Sequence, residues 1–207
     1  MSLPDPRALL ARPLFYRMNQ SAFGAEGARR AYAEYVRARP RDRILDIGCG
    51  TGDILHHLPN VDYVGLDLSA EYIAHARGRK IPGAEFHQAD VNDVDLSDWG
   101  QFDLVMSFGV VHHLDDQCAE RLVTKAGLAL KPGGRVVTID PVLMDGQSPI
   151  ARWLIEHDRG EHVRAPEGYN RLWLKHFQDV RQHIVSNLLR VPYTHCIMES
   201  SDVNLAG

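Results

Sequence analysis

An α/β fold with a doubly wound, mostly parallel seven-stranded sheet is predicted by three features of the sequence. Short apolar runs alternate with helical patterns from residue 44 to residue 140. The first run, Ile44, Leu45 and Ile47, leads into Gly48, Gly50 and Gly52 and then into a helical pattern, which reads as buried strand, tight turn and helix. The stretch QFDLVMSFGVVHHL, residues 101–114, is almost continuously apolar, as a strand covered on both faces of a sheet must be. An N-terminal helical lid and a helical insert after the fifth strand complete the expectation.

The elements follow in order. Residues 1–20 are rich in Pro and Arg, and SAFGAEGARRAYAEYVRAR (21–39) carries apolar residues at helical spacing until Pro40 stops it. The first strand and its glycines come next. Glycines at alternate positions let the backbone take positive φ and let a ligand approach the main chain closely. A pyrophosphate-binding G-x-G-x-x-G would need glycine at position 53, which is Asp. Acids on both sides of the loop, Asp46 and Asp53, also disfavour an anionic ligand at a helix N-terminus. The loop therefore suits a neutral or cationic ligand, such as S-adenosylmethionine with its sulfonium and ammonium groups.

In these residues, D-I-G-C-G-T-G from Asp46 to Gly52, the chain resembles the class I S-adenosylmethionine-dependent methyltransferases of small molecules, whose first motif is an acid followed by G-x-G-x-G. The resemblance covers about 44–140 and implies a Rossmann-like fold, S-adenosylmethionine as cofactor and S-adenosylhomocysteine as product. It implies that Asp46, Gly48, Cys49, Gly50 and Gly52 line the cofactor. It also implies that the N-terminal segment closes over the cofactor, where Phe15, Tyr16 or Tyr32 stack on it or serve as packing aromatics.

VDYVGLDLS (61–69) reads as the second strand, ending in Asp67, and 69–79 as a helix capped by Ser69. Asp67 stands 19 positions after Gly48, where an acid accepts from both ribose hydroxyls in nucleotide-binding doubly wound sheets, and Leu68 follows it. AEFHQADVNDV (84–94) reads as a third strand reaching Asp90. The resemblance places an acid here beside the adenine amino group, with the Val91 N–H on the ring; Asp93 and Asp95 are near enough to confuse the register.

After the fourth strand at 101–114, which brings Ser107 to the cofactor, a helix is expected over 115–130. The turn KPGG (131–134) and a fifth strand, RVVTID (135–140), follow. Beyond Pro141 the alternation stops. Two helices are read near 149–158 and 168–178, then two strands near 183–191 and 193–200, the last antiparallel by resemblance. One methyltransferase domain over 1–207 is expected, with a lid (1–40), a cofactor core (41–140), an acceptor-side insert (141–181) and closing strands (182–207).

The 207 residues are 44% hydrophobic and 24% charged, the balance of a soluble globular protein. The net charge of −4 gives no basic field for a phosphate backbone, so no nucleic-acid partner is expected. No apolar run reaches the length of a membrane span, and the first residues place two prolines and an acid where a signal peptide needs an apolar core, so no membrane partner and a cytoplasmic location are expected. Cys49, Cys118 and Cys196 show no disulfide framework or zinc spacing. The fifth strand ends in Asp140-Pro141, where the magnesium-dependent catechol type carries paired acid and amide ligands, so no metal is expected.

Methyl transfer from a sulfonium is an in-line displacement. It needs alignment and exclusion of water, and a base only when the acceptor must lose a proton. The candidates for that base are His112, His113, Asp140, His157, His162 and His176; His113, His112 and His157 are preferred. A histidine pair after the fourth strand also recurs in the resembling family as part of the loop. Arg152, Arg159 and Arg164 of the insert alternate with Glu156, Asp158 and Glu161, which suits a polar small-molecule acceptor such as a sugar or carboxylated metabolite, or a solvated helix face. S-F-G-V after the fourth strand and the absence of any Pro-Cys pair argue against methylation of nucleic-acid bases. A non-catalytic S-adenosylmethionine-binding module and a nicotinamide oxidoreductase are the competing readings. Monomer and homodimer stay open.

Overall fold

The computed structural model describes residues 25–158, 160–186 and 188–203. One seven-stranded sheet has the order β3-β2-β1-β4-β5-β7-β6. Its strands are β1 (Arg43–Ile47), β2 (Asp62–Asp67), β3 (Ala84–Gln88), β4 (Phe102–Phe108), β5 (Leu130–Pro141), β6 (Phe177–Val185) and β7 (His195–Val203). The first five pair in parallel, whereas β7 lies antiparallel between β5 and β6. Strand order reverses between β1 and β4, so the carboxyl ends of these strands open the crevice in which such sheets bind ligands.

The helices are α1 (Ala25–Val36), α2 (Ala70–Gly78), α3 (Asp116–Leu128), α4 (Pro149–Glu156) and α5 (Pro166–Leu174). Ser69 caps α2 by accepting from the Tyr72 N–H, and Asp115 caps α3 by accepting from the Cys118 N–H. Prolines begin α4 and α5, where the missing N–H costs nothing. Side chains alternate across β1, β4 and β5 to fill two apolar layers. Leu45, Val105, Val136 and Met198 face α3 and α5 with Trp173 and Tyr169; Ile44, Leu104, Val137 and Ile197 face the other side, with Val36 of α1 and Ile73 of α2.

Several elements differ from the sequence expectation. The helix expected after the glycines is a short 3-10 turn, Asp53–His57, because only a few residues and Pro59 separate Gly52 from β2. Strand β3 stops at Gln88, two residues before Asp90. Strand β4 ends at Phe108; the apolar residues beyond it form a loop with a 3-10 turn, Val111–His113, whose Val111 and His112 are buried. The KPGG turn is drawn into β5 as an irregularity in its pairing with β4. Strand β6 begins at Phe177, inside the segment read as helical insert, and 186–194 joins it to β7. The mixed exposure of β6, an edge strand, erased the apolar alternation by which it would have been read. Phe15 and Tyr16 lie outside the described residues.

Candidate functional site

The glycine loop is built by backbone bonds across the crevice. The Gly48 and Cys49 N–H groups donate to the Leu66 carbonyl at 2.8 and 2.9 Å, curling the chain over the end of β2. Gly48 has φ 78°, and a Cβ there would collide with Val110, so the position is closed to other residues by both conformation and space. At Gly52, φ 70°, a Cβ would stand 2.7 Å from the Phe86 ring. Among the described residues, no heavy atom beyond the chain neighbours lies within 4 Å of a Cβ built on Gly50.

Asp67 faces that loop from the end of β2. One carboxylate oxygen accepts from the Gly50 N–H and the other from the Ser69 N–H, both at 2.8 Å. Each oxygen retains a lone pair for an incoming hydroxyl. Leu68 beside it is 67% exposed, an apolar platform at the rim. Asp90 accepts from the Asn92 N–H at 2.8 Å, and Lys125 of α3 donates to the Val91, Asn92 and Val94 carbonyls at 2.8, 2.7 and 2.7 Å, fixing the loop after β3.

Asp46 is buried beneath the loop and accepts from the Tyr63 hydroxyl at 2.5 Å. Burial raises its carboxyl to about 7, against the opposing effect of that hydrogen bond. Burial likewise pushes the Cys49 thiol up, and so the side chain stays a thiol. Asp53 does not add a bare negative charge to the loop. Arg29 of α1 and Arg79 pair with it at 3.1 and 2.9 Å, so the repulsion of anions expected from this acid is largely cancelled.

The loop after β4 carries the histidine pair. His112 is 4% exposed; its Nδ1–H donates to Asp140 at 2.9 Å, its backbone N–H reaches the same oxygen at 3.2 Å, and its carbonyl accepts from the His162 N–H at 2.9 Å. The other Asp140 oxygen is buried and meets no partner among the described residues. His113 is exposed, with its ring 4.0 Å from that of His112. Arg164, behind the loop, donates to Asp116 and to the Val111, Leu114 and His162 carbonyls.

The other predicted residues go elsewhere. Ser107 is buried and donates to the Ile47 carbonyl at 2.9 Å, tying β4 to β1. His157 ends α4, exposed, stacked on Trp153 at 4.5 Å. His176 lies beside Thr124 and Glu120 on the α3–α5 surface. Arg152 pairs with Glu156, and Arg159 lies outside the described residues.

Sequence reasoning missed one group. His195 opens β7 opposite Pro141, 4% exposed, with its Nε2 3.3 Å from the Tyr32 hydroxyl. Tyr193 lies against it and donates to Asp158 at 2.5 Å. Nothing in YTHCIMES separates His195 from an ordinary strand residue; only the pairing of β7 with β5 brings it to the crevice.

The arrangement fits a nucleoside ligand without phosphates. It offers a carboxylate held open for vicinal hydroxyls, an apolar platform, a second acid for an exocyclic amine and, among the described residues, free space above Gly50. Among the described residues, no three or more His, Cys, Asp or Glu side chains are grouped to hold a metal ion. No described helix is long and apolar enough to cross a membrane.

A family model for a methyltransferase domain matches residues 44–134. The chain is 32% identical over 114 residues to trans-aconitate 2-methyltransferase of Deinococcus radiodurans, covering 53% of this chain and 42% of that protein. It is 35% identical over 136 residues to dTDP-3-amino-3,4,6-trideoxy-alpha-D-glucopyranose N,N-dimethyltransferase of Streptomyces venezuelae, covering 62% of this chain and 54% of that one. The chain thus spans about half the length of these relatives. Its fold is similar to that of Haemonchus contortus phosphoethanolamine N-methyltransferase 2 in complex with S-adenosyl-L-methionine, with TM-score 0.72 and 16% identity over 98% of this chain and 61% of the other.

Proposed function

Since the chain belongs, through residues 44–134, to the class I S-adenosylmethionine-dependent methyltransferases, we propose that it transfers a methyl group from S-adenosylmethionine to a small polar molecule. The observation that carries this reading is the Asp67 carboxylate, held by the Gly50 and Ser69 N–H groups beside the glycine loop.

S-adenosylmethionine supplies a methyl group activated by its sulfonium and carries its own leaving group. Asp67 would hold the ribose hydroxyls, Asp90 and the Val91 N–H the adenine, and Leu68 would cover the base. The residues from Gly48 to Gly52, with buried Asp46 below them, would hold the amino-acid end. Tyr32 of α1, whose ring lies 5.4 Å from that of Phe108, shields the end of β4 from water. His113 takes a proton when the acceptor must lose one. His113 is preferred over His112 because it is exposed while His112 is buried, with its Nδ1–H on Asp140.

The acceptor is a sugar or a carboxylated metabolite. The two relatives are named for one of each, trans-aconitate and an amino sugar nucleotide. The ion pairs made by Arg152 and Arg164 favour the sugar, because neither guanidinium is left for a carboxylate.

A thermal shift of the purified protein with S-adenosylhomocysteine against NAD tests the cofactor. Stabilisation by the first alone, lost in Asp67→Ala, is expected; stabilisation by NAD alone overturns the reading. Transfer of a radiolabelled methyl group to sugars, carboxylates and RNA then tests the acceptor. Label appearing in RNA alone overturns the small-molecule reading.

A further inference from the structure

Four elements meet at the start of β7, away from the glycine loop. His195 is the first residue of that strand and pairs with Pro141, the last residue of β5. Its ring centroid lies 6.0 Å from Tyr32 of α1 and 5.0 Å from Tyr193, and Tyr32 in turn lies 5.4 Å from Phe108 at the end of β4. Tyr193 is tied to Asp158, in the turn after α4. These residues come from both segments that flank the cofactor core, the N-terminal helix and the insert.

The imidazole is unusual in its company. One nitrogen meets the Tyr32 hydroxyl, while Nδ1 is buried with no partner among the described residues. Burial pushes the ring down to about 4, although Asp140 acts in the opposite direction, and so it is neutral near pH 7. A buried polar nitrogen left without a partner is unfavourable, and native proteins rarely carry one without a ligand or water to meet it.

We propose that His195 Nδ1, with the rings of Tyr32, Phe108 and Tyr193, is the docking site for an uncharged, hydroxyl-bearing ring of the methyl acceptor. The inference rests on the methyltransferase reading and narrows its substrate to the sugar class. A hydroxyl both donates and accepts, so it satisfies Nδ1 in either tautomer. Aromatic walls pack against the C–H faces of a sugar ring. A carboxylate is disfavoured: Asp140 and His112 act on His195, Asp158 accepts from the adjoining Tyr193, and Arg152 and Arg164 are paired with acids elsewhere.

The test uses the full chain labelled with 15N-histidine and saturated with S-adenosylhomocysteine, whose binding is verified first by thermal shift. Phenyl β-D-glucopyranoside is the probe and benzoate the charged control; the His195 resonance is assigned by its loss in His195→Gln. A saturable shift of that resonance with the glucoside, absent with benzoate, is expected, with at least tenfold weaker glucoside binding and unchanged S-adenosylhomocysteine affinity in His195→Gln. Should that variant not fold, Tyr193→Ala, which removes one aromatic wall, replaces it in the affinity comparison, and the resonance is assigned in the wild-type protein by through-bond connectivity. A His195 resonance unmoved by the glucoside, or moved equally by benzoate, overturns the proposal while the cofactor reading stands. Failure of S-adenosylhomocysteine to bind removes the reading beneath it as well.

Discussion

His112 Nδ1 and Asp140 Oδ1 lie 2.9 Å apart, both side chains buried, and this contact fastens the loop after β4 to the end of β5. Of two adjacent histidines, His112 is thereby held inside while His113 is exposed.

Removal of one partner should therefore be costly. His112→Ala leaves the Asp140 carboxylate buried without the imidazole, and a loss of about 3 kcal/mol in denaturant unfolding is expected. His113→Ala, at an exposed site, should change stability by less than about 0.5 kcal/mol and act on turnover instead.

Gly48→Ala combines a left-handed backbone with a collision against Val110. Conformational strain of about 1–2 kcal/mol plus overpacking of about 1–3 kcal/mol is expected, together with loss of S-adenosylhomocysteine binding in calorimetry.

Lys125 anchors the loop bearing Asp90 and Val91 through three carbonyls. Lys125→Met keeps the stem and removes the donors. S-adenosylhomocysteine affinity should fall by roughly tenfold, the equivalent of about 1.4 kcal/mol, while unfolding stays cooperative.

Two buried groups act on stability in opposite directions over the same pH range. Asp46 is raised to about 7 in the folded chain, so between about 4 and 7 the folded state holds a proton that the unfolded state has released. Its contribution to stability is present at low pH and is lost as pH rises through about 7. Asp46→Asn should flatten that limb in Tm measured against pH. His195 is lowered to about 4, so as pH falls from about 6.5 to 4 the unfolded chain takes up a proton that the folded one refuses. The contribution of His195 falls over that window against the gain from Asp46, so His195→Gln should gain stability relative to the wild-type protein as pH falls.

The glycine-loop half of the candidate site was readable because its residues follow strand ends at short range. Asp46 to Gly52 is one continuous motif, and Asp67 closes β2 at a spacing set by one crossover. The cluster around His195, proposed to meet the acceptor, was not readable, because its residues are distant in the chain. Tyr32 and His195 are 163 positions apart and meet only through the insertion of β7 beside β5. Asp140 was legible as a candidate acid, but its commitment to His112 was not, since a carboxylate in a sequence does not show which hydrogen bonds it accepts.

By itself the sequence determined the layering and the cofactor loop, because hydrophobic period and glycine spacing are local properties that the backbone must obey. It also determined the antiparallel close of the sheet, once its resemblance to a family was recognised. The tertiary structure alone decided which polar groups are spent and which are left over. Arg79 and Arg29 neutralise Asp53, Arg152 and Arg164 are tied to acids, His112 is locked to Asp140, and one His195 nitrogen has no partner among the described residues. Pairing and burial depend on the positions of groups brought together from distant parts of the chain, and the folded arrangement fixes those positions.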